Sequence, residues 1–389
     1  MLLGSERLIA SQRLKGLRVG VLANPASIDR DFRHVVDALA SSRDWKLTAI
    51  FGPQHGFRSD LQDNMIETAH ADDKRRKVPI FSLYSETREP TPAMLDLIDV
   101  LVIDIQDVGA RIYTFIYTMA NCLRAAARKG LPVIVCDRPN PIGGVAVEGP
   151  MLEKDFESFV GQFPIPMRHG MTIGELARLF NERHGIGAKL EVVPMEGWSR
   201  GMYWDETGLP WVMPSPNMPT LDTAIVYPGT VLFEGTMLSE GRGTTRPFEL
   251  IGAPWIDGEE LASRMNAIGL EGAHFRPAIF EPTFQKHARA TCGGVQIHVT
   301  DRNAFEPVKA GVALMRECNE MAPDRFAWRP PPYEYEHGKM PIDILAGSQA
   351  LREQIAARMP LADIVASWRD DEAEFAKLRA PYLLYEAPR

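Results

Sequence analysis

Residues 100–119, VLVIDIQDVGARIYTFIYTM, decide the predicted fold. The stretch opens with an apolar, β-branched run, which is typical of a strand buried on both faces. Asp104 interrupts this run near its carboxyl end, and a polar turn with Asp107, Arg111 and Tyr113 precedes a helix. Because ligands bind outside the carboxyl ends of strands in open α/β sheets, we interpret this turn as one wall of an active site.

Strand and helix patterns alternate on both sides of this stretch. The predicted strands are 17–23, 47–51, 78–84, 99–105 and 131–136, with helices at about 32–39, 92–97 and 113–129 between them. This alternation predicts a parallel, doubly wound sheet. Polar residues follow each strand, namely Asn24, Gln54, His55, Tyr84, Glu86, Asp104, Asp107, Asp137, Arg138 and Asn140. Their repetition predicts a shared cleft along one edge of the sheet.

The chain length of 389 residues predicts two domains. The alternation stops after the NPIGG segment at 140–144, so we place the boundary near residue 145. Residues 1–145 then form the doubly wound domain, and residues 146–389 form a second, smaller mixed α/β domain. The predicted fold class is therefore α/β.

Composition excludes several classes of protein. The formal net charge of -8 argues against a nucleic-acid or anionic-membrane partner. No apolar run approaches the roughly 18 residues that a membrane span needs. The amino-terminal residues lack the order of a secretion signal, and the four cysteines are scattered. We expect reduced thiols and a cytoplasmic protein, or a periplasmic one if the sequence has been trimmed.

A second polar cluster lies at 233–249, FEGTMLSEGRGTTRPFE. It combines Glu234 and Glu240 with Arg242, which stands between two glycines and has little use in packing. A guanidinium beside carboxylates suits both sugar hydroxyls and an acidic substituent. Glu234 and Glu240 have an alternative interpretation as surface residues of a flexible loop.

Common cofactor and nucleophile motifs are absent. The sequence has no GxGxxG after the first strand, no GxxxxGK[ST], no GxSxG and no HExxH. The sequence therefore signals neither a dinucleotide, nor a P-loop nucleotide, nor a metal site. Carboxylate chemistry remains, and it is the usual equipment for cleaving a glycosidic bond.

The residues of the first cluster also have structural interpretations. Asp107 could cap the following helix, and Tyr113 could anchor that helix to the sheet. Asp104 lies inside an apolar run, so it needs a buried partner such as Arg111. His55 could be an ordinary loop histidine, although its neighbours include Gln54 and Arg58.

Several longer motifs resemble the NamZ family of exo-β-N-acetylmuramidases, formerly a conserved domain of unknown function. They are FGPQHGFR, DIQDVGARIYTF, DRPNPIGG, VEGPML, FPIPMRHGMTIGELA, MPSPNMP, YPGTVLFEGTMLSEGRGTTRPFE and PPYEYEHGKMPIDIL. The resemblance extends from about residue 17 to the carboxyl terminus. It implies a Rossmann-like first domain, a site between the two domains, and hydrolysis of non-reducing terminal N-acetylmuramic acid from peptidoglycan fragments without a cofactor.

One position departs from the family pattern. The family carries a glutamate before the His-Gly of the FGPQHGFR motif, where this chain has Gln54. Glutamine cannot donate the proton of the reaction as a glutamic acid does. Either Asp104, Glu234 or Glu240 supplies the acid, or the activity differs.

These observations give a set of expected roles. The catalytic candidates are Asp104, Asp107, Glu234 and Glu240. The substrate-binding candidates are Gln54, His55, Arg58, Arg111, Tyr113, Asn140 and Arg242. Arg242, with Arg111 or Arg58 as second choices, would pair with the lactyl carboxylate of muramic acid. An acetamido group of the substrate could also serve as internal nucleophile.

The expected partner is a muropeptide or an amino-sugar oligosaccharide, and the sequence does not fix the oligomeric state. One alternative is an amino-sugar-binding protein that has lost catalysis through Gln54. A second is another hydrolase or transferase that acts on amino-sugar derivatives. A dehydrogenase remains only as an analogy at the level of the fold.

Overall fold

Strands and helices alternate through the first half of the chain in the computed structural model, which describes residues 1–59, 61–63 and 65–386. The strands are β1 (Arg18–Ala23), β2 (Lys46–Gly52), β3 (Ala71–Asp73), β4 (Val78–Ser82), β5 (Val100–Asp104), β6 (Pro132–Cys136), β7 (Glu148–Met151), β8 (Pro166–Arg168), β9 (Lys189–Val193), β10 (Leu250–Ala253), β11 (Ala273–Phe280) and β12 (Cys292–Val299). The α-helices are α1 (Gly4–Ala10), α2 (Val35–Ala40), α3 (Pro92–Leu95), α4 (Phe115–Lys129), α5 (Ile173–Arg183), α6 (Leu221–Thr230), α7 (Gly258–Ile268), α8 (Pro307–Met321), α9 (Pro341–Ala346), α10 (Ala350–Ala356), α11 (Leu361–Ala366) and α12 (Arg369–Arg379). Short 3-10 helices cover Trp204–Glu206, Val231–Gly235 and Ala380–Tyr382.

The main sheet has seven strands in the order β3-β4-β2-β1-β5-β6-β9. All neighbouring pairs are parallel except β3 with β4. The order runs outward from β1 to β2 and β4 on one side, and through β5, β6 and β9 on the other, which is the doubly wound arrangement. The predicted α/β fold class is confirmed. The sequence pattern missed β3, whose three residues ADD carry no apolar signal.

Both faces of the sheet are covered, and β5 shows why. Val100 and Val102 contact the core that includes α1 and α2. Leu101 and Ile103 contact the larger core that includes α4 and α5. Because successive side chains of a strand point to opposite faces, an unbroken apolar run is what a doubly covered strand requires.

The second half adds two smaller sheets. A three-stranded antiparallel sheet has the order β10-β12-β11, and β7 pairs antiparallel with β8. Helices α6, α7 and α8 contribute to the same large core as α4 and α5, so the two halves share buried apolar surface. The main sheet takes its last strand from Lys189–Val193, so residues beyond the predicted boundary at 145 contribute to the first unit. No helix among the described residues is both long and apolar enough to cross a membrane.

A buried ion pair fills the place where the strand order reverses, between β1 and β5. Arg138 Nη1 donates to both carboxylate oxygens of Asp104, at 3.0 and 3.3 Å. Its Nη2 donates to the backbone carbonyls of Ala26 at 2.9 Å and Ile28 at 2.8 Å, and its Nε donates to Gln106 Oε1 at 3.0 Å. This network ties together the segments that follow β1, β5 and β6, and it occupies the crevice in which a ligand was expected.

Replacing Asp104 by Asn should destabilise the protein. Asp104→Asn leaves the buried Arg138 guanidinium without its counter-charge, so the free energy of unfolding should fall by about 3–5 kcal/mol. Urea unfolding followed by circular dichroism measures this change. The exposed Asp324→Asn variant, which removes one carboxylate at the surface, should change stability by no more than about 0.5 kcal/mol. An unchanged unfolding midpoint for Asp104→Asn would contradict the structural role.

Candidate active site

A small cavity lies where the loops after β2 and β5 meet segments of the second half. Its polar lining is Gln54, His55, Tyr113, Thr114, Ser215, Asn217, Tyr227, Glu234, Arg242, Tyr333 and Glu334, and its apolar lining is Ile112, Phe115, Val160, Met218 and Phe248. Its volume is about 40 Å³, well below the roughly 300 Å³ at which small-molecule pockets begin. The cavity therefore has room for water, and a sugar ring enters only if its walls move apart.

Glu234 is held as a carboxylate at one side of the cavity. The 3-10 helix Val231–Gly235 carries it, and Arg242 Nη2 and Nε donate to its Oε1 at 2.6 and 3.2 Å. The Tyr333 hydroxyl donates to Oε2 at 2.6 Å. Burial alone would raise the pKa of Glu234, but the Arg242 guanidinium, the Tyr333 hydroxyl and the Lys286 ammonium together lower it. Glu234 is ionised at neutral pH.

Arg242 lies between two glutamates. Its Nε is 3.5 Å from Glu240 Oε1, and the other oxygen of Glu240 is 2.7 Å from Lys286 Nζ. The guanidinium carbon also lies 4.9 Å from the centroid of the Phe248 ring. Arg242 Nη1 is buried and has no hydrogen-bond partner among the described residues. This nitrogen is available to an oxygen atom of a ligand, since a buried donor without a partner is costly.

The two glycines around Arg242 are needed for the backbone of this loop. Gly241 and Gly243 have φ of +77° and +81°, where residues with a side chain are strained. A Cβ on Gly243 would lie 2.8 Å from the backbone nitrogen of Phe284, and one on Gly241 would lie 2.7 Å from the carbonyl oxygen of Leu250. The glycines therefore let this loop fold tightly enough to bury Arg242 beside Glu234.

Glu334 is the second carboxyl group of the cavity, and it lies in a different electrostatic environment. The Tyr84 hydroxyl donates to its Oε2 at 2.9 Å, and Gln54 Nε2 lies 3.5 Å from its Oε1. Burial and the negative charge of Glu234 raise the pKa of Glu334 to about 7, against the lowering effect of its hydrogen bonds. At neutral pH this group exchanges a proton readily.

The backbone around Glu334 is a strained turn. Tyr333 and Glu336 exchange two backbone hydrogen bonds, at 3.0 and 2.9 Å. The two central residues, Glu334 and Tyr335, have φ of +46° and +69°. This is the pattern of a type I′ turn, which usually takes Asn and Gly at these positions. Each residue with a side chain in this region costs about 1–3 kcal/mol, and such strain concentrates at functional sites.

Gln54 and His55 come from the loop that follows β2. Gln54 Oε1 accepts a hydrogen bond from Thr114 Oγ1 at 2.7 Å, so its Nε2 is directed to Glu334. His55 Nδ1 lies 2.7 Å from the Leu61 carbonyl, and because a carbonyl only accepts, Nδ1 carries the proton. Burial lowers the pKa of His55 to about 4. The imidazole is neutral at physiological pH, and its Nε2 can accept a hydrogen bond.

Aromatic rings form the floor of the cavity. The Tyr113 ring lies 4.8 Å from Phe115 and 5.9 Å from Tyr227, edge to face, and Tyr227 lies 4.8 Å from Phe248. Burial raises the pKa of Tyr113, so its hydroxyl stays protonated. Aromatic surface with a few placed polar groups is the usual lining of a small-molecule site.

The structure thus brings together five of the predicted site residues, namely Gln54, His55, Tyr113, Glu234 and Arg242. Asp104 and Asp107 do not line this cavity. Asp104 is fully buried and pairs with Arg138 instead of Arg111. Asp107 accepts a hydrogen bond from the Gly109 backbone at 2.7 Å and lies 3.3 Å from His169. Asp104 is held by the Arg138 guanidinium, whereas Asp107 keeps one buried oxygen, Oδ1, without a hydrogen-bond partner among the described residues, but neither carboxylate reaches the cavity.

The remaining predicted residues also lie outside the cavity. Arg111 is buried and donates to the backbone carbonyls of Pro150, Ile165 and Leu345. Asn140 bonds the backbone of Met171 and Ile142, Arg58 is exposed, and Glu240 lies behind Arg242. Arg111 and Asn140 therefore support loops, because backbone carbonyls accept from both terminal nitrogens of Arg111 and backbone groups bond both atoms of the Asn140 amide.

The sequence analysis assigned no role to Glu334 or to Tyr333. Both belong to the PPYEYEHGKMPIDIL motif, in which two glutamates flank a tyrosine shortly after two prolines. This cluster of acidic and aromatic residues lies outside any predicted helix or strand, and it is the sequence feature that could have identified Glu334 and Tyr333 as site residues. Ser215 and Asn217, in the proline-rich segment 211–219, also line the cavity and were assigned no role from the sequence. Among the described residues, no group of three or more metal-ligating side chains lies together.

A doubly wound α/β fold with two differently tuned carboxyl groups in one aromatic-floored cavity defines a glycosidase-like protein. Family profiles described as Exo-beta-N-acetylmuramidase NamZ, N-terminal and C-terminal, match residues 19–222 and 225–385. The chain belongs to the NamZ family of exo-β-N-acetylmuramidases, and the predicted resemblance is confirmed.

Individual relatives agree with the family assignment. The Peptidoglycan beta-N-acetylmuramidase NamZ of Bacillus subtilis (strain 168) is 48% identical over 374 residues, which are 96% of this chain and 88% of the relative. Two crystal structures of DUF1343 family proteins from Bacteroides fragilis NCTC 9343 are also similar. One has a TM-score of 0.89 at 36% identity and covers 99% of both chains. The other has a TM-score of 0.77 at 28% identity and covers 100% of this chain and 99% of its own.

Proposed function

We propose that this protein is an exo-β-N-acetylmuramidase that releases non-reducing terminal N-acetylmuramic acid from peptidoglycan fragments. The observation that carries the proposal is one cavity with two carboxyl groups in different states. Glu334 has a pKa raised to about 7, whereas Arg242 and Tyr333 keep Glu234 ionised. Glycosidic hydrolysis needs one protonated acid and one carboxylate. The name of the 48% identical Bacillus subtilis relative supports the substrate class.

Glu334 acts as the general acid in this proposal. Its carboxyl proton passes to the glycosidic oxygen as the bond from that oxygen to the anomeric carbon breaks, and the aglycone leaves with a new hydroxyl group. Its raised pKa suits this role, because an acid with a pKa near the working pH is both protonated and able to transfer its proton. Gln54 then needs no proton of its own, and its amide orients the Glu334 carboxyl.

Glu234 supplies the negative charge. The transition state of glycosidic cleavage carries positive charge at the anomeric carbon, and a carboxylate in a site shielded from water stabilises that charge strongly. A water molecule then gives its hydroxyl to the anomeric carbon and its proton to the ionised Glu334 carboxylate. The products are free N-acetylmuramic acid and the shortened fragment, and the enzyme returns to its starting state.

Three further groups bind the sugar in the proposal. His55 Nε2 accepts a hydrogen bond from a sugar hydroxyl, and the rings of Tyr113 and Tyr227 contact the apolar face of the pyranose. Arg242 Nη1, which has no partner among the described residues, donates to the lactyl carboxylate. Arg242 Nε and Nη2 already donate to Glu234. The lactyl carboxylate is therefore bound through Nη1 alone, and not through the two nitrogens that a bidentate pair would use.

The alternative of a binding protein without catalysis depended on Gln54. The family match does not favour it, and a second titratable glutamate in the cavity removes the need for an acid at position 54.

The free and buried thiols of Cys122, Cys136, Cys292 and Cys318 suit a reducing compartment. We therefore propose a cytoplasmic location, which cell fractionation tests, and recovery of imported wall fragments as the role.

Removing the acid should affect poor leaving groups most. Glu334→Gln should lower kcat by about 10²–10⁴-fold on the disaccharide in which N-acetylmuramic acid is linked to N-acetylglucosamine. A 4-nitrophenyl glycoside, whose leaving group needs little protonation, should lose much less.

In the unaltered enzyme, kcat/KM should fall about tenfold per pH unit above pH 7, as Glu334 ionises, and Glu334→Gln should lose this decline. Surface Glu320→Gln is the control.

The same assignment can be tested by changing the neighbour of the acid. Gln54→Glu places a third carboxyl group beside Glu334 and Glu234, and like charges raise the pKa of one of them. The decline of kcat/KM should therefore move by about one pH unit to higher pH, whereas the exposed Gln12→Glu should not move it. Equal losses of both substrates in Glu334→Gln, with an unchanged pH profile, would refute the role of Glu334 as acid.

Arg242→Lys tests recognition of the lactyl group. Lysine keeps a positive charge beside Glu234 but lacks the free Nη1 donor. Inhibition by free N-acetylmuramic acid should weaken about tenfold, the loss of one charge-assisted hydrogen bond. Inhibition by N-acetylglucosamine, which has no lactyl group, should change little. Parallel weakening of both inhibitors would show that Arg242 does not distinguish the two sugars.

A further inference from the structure

A second recess, the Tyr335 groove, adjoins the active-site cavity. It has a volume of about 470 Å³, within the size range of ligand sites. Its lining includes Glu67, Glu86, Arg88, Phe159, Tyr335 and Glu336. Glu334 lines both the groove and the cavity. Glu334 is therefore the residue that contacts both spaces.

We propose that the Tyr335 groove is the aglycone subsite, and that it binds a neutral or cationic amino sugar while disfavouring an aglycone that carries a carboxylate. This inference rests on the proposed function. An acid that protonates the glycosidic oxygen must lie between the sugar that is released and the group that leaves. Because Glu334 lies between the cavity and the groove, the terminal sugar occupies the cavity and the leaving sugar occupies the groove.

A stack of flat groups forms the wall of the groove. The Arg88 guanidinium lies 4.2 Å from the centroid of the Tyr84 ring and 4.8 Å from that of Tyr335. Phe159 lies 5.2 Å from Tyr84. Arg88 Nη2 donates to Glu67 at 3.1 Å, so the stack is fixed at its rim. A pyranose ring offers a flat apolar face of C–H groups, and such a face binds to rigid aromatic surface with little loss of entropy.

The position of Tyr335 in this wall requires a strained backbone and an exposed aromatic ring. It is 48% exposed, although it is a large aromatic residue, and its φ of +69° is one that glycine or asparagine adopts more easily. Its contacts are with Arg88, with the Tyr84 ring and, through its hydroxyl at 3.4 Å, with Glu67, and they leave 48% of the residue exposed. The same turn therefore places Glu334 at the cavity and Tyr335 at the groove.

The charge of the groove selects among leaving groups. Glu67, Glu86 and Glu336 line it, and Arg88, which pairs with Glu67, is the one basic residue among its described lining residues. The side chains of Glu67 and Glu86 are 50% and 73% exposed. A recess with an excess of negative charge repels an anionic ligand. N-acetylglucosamine is neutral and its deacetylated form is cationic, so both fit, whereas a sugar that bears an acidic peptide does not.

Tyr335→Gly tests the subsite. Glycine relieves the backbone strain, keeps the turn and removes only the ring. Two substrates are compared, the disaccharide with N-acetylglucosamine and β-N-acetylmuramyl fluoride, whose leaving group is one atom. We expect kcat/KM for the disaccharide to fall about tenfold, mainly through KM, and that for the fluoride to stay unchanged. Phe32→Gly, which removes another exposed aromatic residue with positive φ (+61°), should alter neither substrate.

A carboxylated leaving group tests the charge selection. The ratio of kcat/KM for a 3-carboxy-4-nitrophenyl glycoside to that for the 4-nitrophenyl glycoside should rise severalfold in a Glu67→Gln/Glu86→Gln double variant at low salt. An unchanged ratio overturns the charge selection. Equal effects of Tyr335→Gly on the disaccharide and the fluoride, or no effect on either, overturn the subsite. If the unaltered protein hydrolyses none of these substrates, the proposed function fails and not the assignment of the groove.

Discussion

The buried pair between Arg138 and Asp104 is the constraint on which the position of the active site depends. It joins the end of β5 to the segment after β6, and through the carbonyls of Ala26 and Ile28 it also holds the segment after β1. A buried ion pair is stable only when its remaining hydrogen-bonding atoms are satisfied, and this one is. With the reversal point of the sheet filled, the ligand cavity lies farther out, between the loops after β2 and β5 and the second half of the chain.

The cavity combines two glutamates that differ in their neighbours rather than in their chemistry. Glu234 faces a guanidinium and an ammonium, whereas Glu334 faces a phenol, an amide and the charge of Glu234. The first is therefore ionised, and the second holds its proton up to about pH 7. Environments that separate the pKa values of two carboxyl groups are how one site provides both an acid and a carboxylate. Gln54 is then a neutral positioning group within this arrangement.

The turn formed by Tyr333–Glu336 joins the cavity to the neighbouring groove. Tyr333 bonds Glu234, Glu334 lines the cavity, and Tyr335 lies in the neighbouring groove. Since both central residues have positive φ without being glycine, the surrounding structure must hold the turn against its strain. The cavity, with a volume of about 40 Å³, is much narrower than the neighbouring groove of about 470 Å³.

The sequence by itself determined the doubly wound sheet, because hydrophobic alternation reports which faces of each element are buried. It also identified Gln54, His55, Tyr113, Glu234 and Arg242 as site candidates, because they lie at strand ends or beside required glycines. Only the tertiary structure decided which partner each charge takes. Asp104 pairs with Arg138 rather than Arg111, and Glu334 reaches Gln54 across 280 positions of sequence. Local patterns carry no information on such distant pairings, since packing of the two halves brings those groups together.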